Sequence, residues 1–408
     1  MTSTLGPVVS PPSDASKASI VKIGDLAANA GLRRVHLLSW RDLADVEAGG
    51  SEVHAAMVAR LWSEAGVDVT LRTSYAQGHA PVITRDGYRV IRRAGRYLIF
   101  PRAVVSELIG RHGPSDGLVE IWNGMPFLSP VWYRGPKVVL LHHVHAEMWQ
   151  MVLGDERPWA AKLGDTIERR IAPLAYRRTP IVTLSSSSKQ DIVEQLRVPA
   201  HNIDVVPPGI DPMFTPGGDK SADPSVVAVG RLVPVKRYDH LIRAVADARR
   251  TQPRLSLTIV GDGYEREQLD QLVLELDLAD CVTFAGRVSD LELVALYRRA
   301  WMVVSASARE GWGMSLTEAA ACGTPAVATR IVGHSDAVID GHTGLLVDPD
   351  DPIALGTAIA DLAADNARRE QLGTNALANA ARFTWESTAV GIMRALAAEA
   401  TRRRSHRR

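Results

Sequence analysis

The chain has 408 residues, of which 46% are hydrophobic and 23% charged, and its formal net charge is +1. This length exceeds what one hydrophobic core of common size needs, so two domains are expected. The near-zero net charge creates no overall field that would attract nucleic acid, and no nucleic-acid partner is expected. The two cysteines, Cys281 and Cys322, lie in apolar or small-residue runs, where reduced thiols in the cytoplasm are expected.

The two ends of the chain differ in composition from the rest. Residues 1–30 are rich in Ser, Pro and Ala and lack a charged start followed by an apolar run, which argues against a secretory signal. We expect them to form a disordered tail. Residues 401–408 (TRRRSHRR) are expected to form a short, disordered basic extension, with attraction to anionic lipid as the alternative interpretation. No apolar run approaches the ~20 residues that a membrane-spanning helix requires. A cytoplasmic protein is expected, with the inner face of the membrane left open as a second location.

From residue 31 onward, short apolar runs alternate with segments of helical periodicity. In the first half, strands are predicted at 33–40, 67–74, 118–123, 137–143 and 180–186, and helices at 51–66 and 187–196. In the second half, strands are predicted at 225–232, 255–263, 281–288, 301–307, 324–329 and 343–349, and helices at 237–250, 264–278 and 384–404. Alternating strands and helices predict parallel sheets that are covered by helices on both faces.

A segment rich in Pro, Gly and Asp at 202–225 divides the chain and is the best candidate for a linker. We therefore predict two Rossmann-like, doubly wound α/β domains that face a central cleft. The N-terminal domain covers 31–210, the C-terminal domain covers 211–380, and a helix at 381–400 packs back on the N-terminal domain. Ligands of such sheets bind beyond the carboxyl ends of the strands.

The first candidate site follows a strand of the C-terminal half, in VAVGRLVPVKRYDHLI. Gly230 permits a tight turn, and Arg231 and Lys236 follow it before the next helix. Two cations beside a helix start are suited to a polyanion such as a diphosphate, although a solvated basic loop would show the same composition. The later TIVGDG segment lacks the third glycine of the dinucleotide fingerprint, so it is weak support for NAD binding.

The second candidate site is REGWGMSLTEAAACGTPAVAT, in which Glu310 and Glu318 stand on either side of Gly311 and Gly313. The strand pattern places Glu310 after a strand and Glu318 inside the next helix. The glycines let the backbone approach a ligand and expose its N–H groups at the helix start, which is suited to phosphate or sugar oxygens. A carboxylate on each side is suited to neighbouring hydroxyl groups, as in a ribose.

Two further groups of residues lie in the N-terminal half. In EAGGSEVHAAM, Gly49 and Gly50 stand at a strand-to-helix junction. In KVVLLHHVHAEMW, three histidines (His142, His143 and His145) follow a strand, which is a dense grouping for purely structural residues. The His-x-x-Glu arrangement is not matched by a second cluster at ligand spacing, so no metal is predicted.

Taken together, these segments resemble the retaining family-four glycosyltransferases of the GT-B fold, over residues 34–400. The mark of that family is two glutamates separated by seven residues, here Glu310 and Glu318, and Trp312 stands where many members have Phe. The resemblance implies that Glu310 contacts the hydroxyls of the donor sugar and that Glu318 contacts the nucleotide ribose. It implies these further donor contacts: Arg231 and Lys236 to the phosphates, backbone donors from Gly313, Met314 and Ser315, and the base near Arg287 and Val288.

The resemblance also assigns the N-terminal half. It implies that Gly49 and Gly50 lie against the donor phosphate and the acceptor, that His145 is the histidine that contacts the donor sugar, and that His142 is the next candidate. The implied catalytic set is His145, Arg231, Lys236 and Glu310. The implied reaction is transfer of a hexose from a nucleoside diphosphate sugar, with UDP-glucose and GDP-mannose first, to a hydroxyl acceptor. It proceeds with retention by front-side attack, without metal or cofactor.

Two alternative functions and three interpretations of one segment stay open. A sugar-nucleotide 2-epimerase has a similar two-domain fold, and a non-catalytic nucleotide-sugar sensor would keep the same binding residues. The segment Arg85–Val104, with six arginines beside Tyr and Phe, is compatible with a membrane-facing surface, an acceptor-phosphate site or an edge strand with a solvated face.

Overall fold

The structure is a computed structural model, and it describes residues 14–145 and 158–406. Within these residues, the N-terminal sheet has eight strands: β1 (Arg34–Leu38), β2 (Asp68–Thr73), β3 (Val82–Arg85), β4 (Tyr88–Arg92), β5 (Gly117–Trp122), β6 (Lys137–Leu141), β7 (Ile181–Thr183) and β8 (Ile203–Val205). Their order is β3-β4-β2-β1-β5-β6-β7-β8. All neighbours pair in parallel except β3, which runs antiparallel to β4 at the edge.

Helices cover both faces of this sheet. They are α1 (Asp14–Asn29), α2 (Gly50–Glu64), α3 (Ile99–Leu108), α4 (Ser129–Trp132), α5 (Pro158–Thr166), α6 (Ala172–Tyr176) and α7 (Ser186–Leu196), with a π-helical turn at Ile167–Ile171 between α5 and α6. Because successive side chains of a strand point to opposite faces, Leu37 and Val119 join the core under α1 and α2, whereas Leu38 and Leu118 join a core with α3. Trp122 lies on that second face too, with α6 and α7.

The C-terminal sheet has six strands within the described residues: β9 (Ser225–Val229), β10 (Ser256–Val260), β11 (Val282–Gly286), β12 (Met302–Ser305), β13 (Ala326–Thr329) and β14 (Gly344–Val347). Its helices are α8 (Tyr238–Arg249), α9 (Arg266–Glu275), α10 (Asp290–Arg299), α11 (Met314–Ala321), α12 (His334–Ala337), α13 (Pro352–Ala364) and α14 (Asn366–Ala380). The strand order is β11-β10-β9-β12-β13-β14, all parallel. The order reverses between β9 and β12, which makes their carboxyl ends the expected ligand crevice. The predicted fold of two Rossmann-like domains is confirmed.

A last helix, α15 (Trp385–Ser405), returns to the N-terminal domain. It packs on α1 and α2, where the indole Nε1 of Trp62 donates a hydrogen bond to the Ala389 carbonyl at 3.0 Å. Disorder over 401–408 was expected, but the helix continues to Ser405. Its basic last turn is held because Arg402 and Arg403 both bind the buried carboxylate of Glu399.

The expectation of a disordered tail over 1–30 is wrong for residues 14–29, which form α1. Ile23 and Ala27, four positions apart, are buried against the core that α15 completes, and Ser16 Oγ donates to Glu386 Oε1 at 2.7 Å. Tertiary packing of one face, rather than helix propensity, therefore stabilises this helix. Residues 1–13 lie outside the described residues.

Candidate active site

The cationic turn after β9 lies at the topological switch point of the C-terminal sheet. Gly230 has a positive φ of 156°, and a Cβ there would lie 3.1 Å from Lys236 Cε, so the turn closes tightly around the lysine stem. Lys236 Nζ forms an ion pair with Glu310. Arg231 is exposed and forms no ion pair or hydrogen bond with any described side chain. Although the side chain reaches the surface, the packed atoms around its guanidinium remove part of its hydration and lower its pKa. Arg41 acts in the same direction, whereas the carboxylates of Glu52, Glu47 and Glu310 oppose it.

Glu310, which follows β12, is the carboxylate at the centre of this crevice. Its Oε1 accepts hydrogen bonds from Lys236 Nζ and, at 2.9 Å, from Ser307 Oγ. Burial acts to raise the pKa of Glu310, but the charge of Lys236 and the hydrogen bonds from Lys236 and Ser307 together outweigh it, with His334 also contributing, and the pKa is lowered. Beside it, burial lowers the pKa of His334 to about 4, so this histidine is neutral near pH 7. Glu310 is thus an ionised acceptor whose Oε2 has no partner among the described residues.

The two positions after Glu310 that carry glycine require it for different steric reasons. Gly313 adopts a left-handed conformation with φ 101° and is the N-cap of α11, so the N–H groups of Met314 and Ser315 begin the helix without intrahelical acceptors. At Gly311, a Cβ would lie 2.8 Å from the His142 carbonyl oxygen at the end of β6. One glycine therefore turns the chain into the helix, and the other lets the loop touch the N-terminal domain.

Glu318 lies in the second turn of α11, as predicted, and faces Tyr297 of α10. The Tyr297 hydroxyl donates to Glu318 Oε2 at 3.0 Å. Burial raises the pKa of Glu318 to about 7, and the nearby carboxylates of Asp211 and Asp290 act in the same direction. In the absence of a ligand, this side chain is therefore close to half protonated at neutral pH.

The Gly49–Gly50 junction forms the opposite wall. The buried Glu52 accepts hydrogen bonds from the Gly49 N–H at 2.8 Å and from Ser51 Oγ at 2.9 Å, and it forms an ion pair with Arg41 at 3.1 Å. A Cβ on Gly50 would lie 2.7 Å from Met314 Sδ. The glycine loop of one domain therefore touches the first residue of α11 in the other domain.

The predicted histidines lie at the carboxyl end of β6, between the domains. His142 is buried and pairs through Nε2 with Nδ1 of His54 at 3.2 Å, and the rings of His143 and His145 stack with centroids 4.7 Å apart. Burial lowers the pKa of His142 to about 4 and that of His143 to about 3, and it also lowers the pKa of His145. Neutral imidazoles therefore line this part of the cleft.

Three further contacts hold the domains together around the site. The Asp336 carboxylate accepts the backbone N–H groups of Ser186 and Ser187, at 2.7 and 3.1 Å, at the N-terminus of α7. Arg309 donates to the Val144 carbonyl at 2.8 Å and forms an ion pair with Asp191. Arg287 donates to the Val46 carbonyl, and its neighbour Val288 is partly buried in the core. The structure is therefore closed over the predicted site.

Half of the arginines in Arg85–Val104 are bound to the acidic loop after β1. Arg85 and Arg92 form ion pairs with Asp42 at 3.0 and 2.9 Å, and Arg96 does so with Asp45 at 3.1 Å. The segment begins in the edge strand β3, which agrees with one of the three alternatives. The bound arginines position the loop that leads to Gly49.

The structure thus brings Arg231, Lys236, Glu310 and the start of α11 together, with the glycine loop and His142 opposite. Sequence analysis missed His54, His334 and Ser307. His334 and Ser307 follow strands β13 and β12. They could have been predicted, because ligands of such sheets bind beyond the carboxyl ends of the strands. No local sequence signal marks His54. Among the described residues, no group of three or more His, Cys, Asp or Glu side chains is placed to hold a metal ion. Within the same ranges, no helix is long and apolar enough to cross a lipid bilayer.

Fold and site together define a two-domain α/β protein whose cleft presents cations, a helix start and a carboxylate. Residues 48–214 match the family described as Glycosyltransferase Family 4, and residues 213–378 match Glycosyl transferases group 1. The chain is 34% identical over 390 residues to the D-inositol 3-phosphate glycosyltransferase of Nocardia farcinica, covering 86% of this chain and 85% of that protein. The chain therefore belongs to the GT-B glycosyl transferases of group 1.

Solved structures share the fold at lower identity. Sucrose-phosphate synthase from Thermosynechococcus elongatus superposes with a TM-score of 0.76 at 22% identity, covering 92% of this chain and 100% of that chain. HepE of Anabaena, in complex with UDP-glucose, superposes with a TM-score of 0.65 at 20% identity, covering 91% and 99%. The predicted GT-B architecture is confirmed by these neighbours.

Proposed function

We propose that this glycosyltransferase moves a hexose from a nucleoside diphosphate sugar to a hydroxyl acceptor, with retention of configuration at the anomeric carbon. The observation that carries the proposal is Arg231, a cation that forms no direct ion pair or hydrogen bond with the described residues and lies beside Lys236 and the start of α11. A diphosphate is the ligand that satisfies two cations and free helix N–H groups at one switch point.

The other donor contacts are proposed from the family resemblance. The unpartnered Oε2 of Glu310 accepts a hydroxyl of the transferred sugar. Glu318, on the far side of the glycines, accepts the ribose hydroxyls, and the base lies toward Arg287 and Val288. Met314 and Ser315 supply backbone donors to the phosphates.

The chemical step follows from where charge develops. As the bond to the anomeric carbon breaks, negative charge grows on the leaving diphosphate, and Arg231, Lys236 and the helix N–H groups stabilise it. The leaving phosphate oxygen takes the proton of the acceptor hydroxyl, which attacks from the same face. A retaining glycosidase uses two carboxylates that flank one bond, whereas the described crevice offers Glu310 already paired with Lys236, so we propose the front-side path. We propose that the two cations replace a metal.

The histidines act as neutral hydrogen-bonding groups in this scheme. Since burial lowers the pKa of His142 and His145, neither carries a charge near pH 7. A neutral imidazole can both accept and donate, so His145 orients a hydroxyl of the donor sugar and His142 completes the acceptor wall with Gly49 and Gly50.

Binding requires the two walls to separate. Gly50 and Met314 are in contact in the closed structure, so the donor enters only when Met314 moves or when the domains open about the segment 206–224. Reclosure would then exclude water from the bond that breaks and limit hydrolysis of the donor.

Names of similar proteins indicate which substrates to try first. The Nocardia farcinica relative is named for D-inositol 3-phosphate, and the Anabaena neighbour binds UDP-glucose. We therefore propose a UDP-sugar as the donor, before GDP-mannose, and a phosphorylated polyol as the first acceptor to test.

The test is release of nucleoside diphosphate by the purified chain, with and without each acceptor, and with and without EDTA. We expect acceptor-dependent release that EDTA does not reduce, and a product whose anomeric configuration, assigned by NMR, equals that of the donor. Lys236→Ala should abolish most of the release, whereas Lys22→Ala, on the exposed side of α1, should not change it.

Four other results would redirect the proposal. An inverted product would refute retention, and loss of activity in EDTA would refute metal independence. Interconversion of the sugar nucleotide without an acceptor would favour a 2-epimerase. Tight binding without release, for every acceptor tried, would favour a sensor.

A further inference from the structure

The outward sides of α3, α4 and the α5–α6 unit carry large apolar side chains that no part of the described structure covers. Ile109 is 65% exposed, Val131 62% and Leu174 81%. These helices cover the same face of the N-terminal sheet, and α4 contacts both α3 and α6. We call the outward surface the apolar face, and its exposed apolar residues are Leu98, Val105, Leu108, Ile109, Val131, Leu163, Ile171 and Leu174.

The α3 segment shows that the outward position of these residues is systematic. Leu98, Arg102, Val105 and Ile109 recur at spacings of four, three and four, and all are exposed. The inward side of the same helix already buries its own set, which includes Ile99 and Ala103. A helix that faces water alone would carry polar residues on the outward stripe, and monomeric proteins seldom leave such continuous apolar surfaces uncovered.

The charges of the apolar face are one-sided. The exposed cations of these helices include Arg102, Lys162 and Arg170, and Arg111 and Arg178 are exposed in the turns that follow α3 and α6. The acids of the same segments are not available to balance them. Glu107 is buried and paired with His36, Glu168 is buried, and Asp165 is paired with Arg169. This face is therefore cationic although the whole chain has a formal charge of only +1.

We propose that the apolar face docks the protein on an anionic lipid bilayer, with the apolar side chains at headgroup depth and the cations against lipid phosphates. An anionic bilayer offers both the apolar depth and the opposite charge that the face presents. A second copy fits less well, because a two-fold contact would place Arg102 and Arg170 against the same cations of the partner. The proposal does not depend on the reaction that the cleft performs.

Vesicle flotation with the full chain tests this docking. The protein should float with vesicles of phosphatidylglycerol and phosphatidylcholine in equal parts, much less with phosphatidylcholine alone, and less as salt is raised. The double variant Leu98→Glu/Ile109→Glu should lose at least about tenfold in partitioning, because two charges replace inserted apolar groups. Leu274→Glu, at a residue that is 69% exposed on α9, is the matched control and should bind as the wild type.

Folding of each variant is checked by circular dichroism and thermal unfolding, which should not change because the substituted side chains face solvent. The proposal is overturned if the wild type does not float with anionic vesicles, or if it floats equally with phosphatidylcholine alone. It is also overturned if the double variant floats as well as the control. A dimer in size-exclusion chromatography that the double variant dissociates would instead assign the apolar face to a second copy.

Discussion

Replacing Glu318 by glutamine separates the electrostatics of the predicted ribose contact from its shape. Glutamine has almost the same size, and its carbonyl oxygen still accepts the hydrogen bond from the Tyr297 hydroxyl. Burial raises the pKa of the glutamate from 4.5 to about 7. Since each pKa unit corresponds to about 1.4 kcal/mol, ionisation of Glu318 lowers the free energy of unfolding by about 3 kcal/mol.

The sign of the effect follows from proton linkage. The folded protein holds this proton more tightly than the unfolded chain, whose pKa is near 4.5. The stabilisation by the protonated form is therefore complete below pH 4.5 and is lost as the pH rises to about 7. Glu318→Gln does not titrate, so it should be more stable than the wild type by about 3 kcal/mol above pH 7, and the difference should vanish in acid.

Urea unfolding of both proteins across this pH range measures the difference directly. Glu275→Gln, at an exposed glutamate on α9, is the control that should leave the pH profile of the wild type unchanged. Donor affinity provides the second readout, because a carboxylate binds hydroxyls more strongly than a carboxylic acid does. The affinity for the donor should rise as the pH increases through 7 in the wild type, and it should not change with pH in Glu318→Gln. Parallel stability profiles for wild type and Glu318→Gln would refute the burial argument, and a pH-independent donor affinity would refute the ribose contact.

Two further substitutions test the cationic turn and its support. Lys236→Ala should lower kcat by ~10²-fold or more, measured in steady state, because a donor to the developing phosphate charge is lost; an unchanged kcat would remove Lys236 from the site. Gly261→Ala should cost more than about 3 kcal/mol in urea unfolding, because φ is 131° and the new Cβ would lie 2.0 Å from the Gly230 carbonyl oxygen. Gly78→Ala, where φ is 77° but nothing lies within 4 Å, should cost about 1 kcal/mol, and equal losses would contradict the steric account.

The architecture could be predicted because most strands of a doubly wound sheet are continuous apolar runs. The run at 225–232 contains β9, and that at 301–307 contains β12. The helix α1 was missed because its stability comes from α15, almost at the other end of the chain. The hairpin between β3 and β4 was also missed, although Asp86 and Gly87 both have positive φ and Asp-Gly is a strong hairpin signal.

The site was predictable where chemistry and topology coincide. Arg231 and Lys236 follow one strand and Glu310 follows its neighbour, so parallel pairing of β9 with β12 brings them together. His54 carries no comparable signal, because its partner His142 lies 88 positions along the chain and on a different element. The raised pKa of Glu318 could not be predicted from the sequence either, because it depends on burial beside Tyr297 rather than on neighbouring residues in the chain.

Closure of the cleft is the feature of the structure that is hardest to predict from local sequence. Each wall of the cleft is determined by a short sequence segment: one by Gly49 and Gly50, and the other by Gly311 and Gly313. What joins the walls is a set of contacts between distant segments, such as Asp336 at the N-terminus of α7. The contacts of Asp336 with Ser186 and Ser187 are polar and partly exposed, and contacts of this kind can break without unfolding either core. We expect a donor that bridges Arg231 and the start of α11 to replace the contact between Gly50 and Met314 with its own phosphates, so that donor binding is coupled to separation of the two walls.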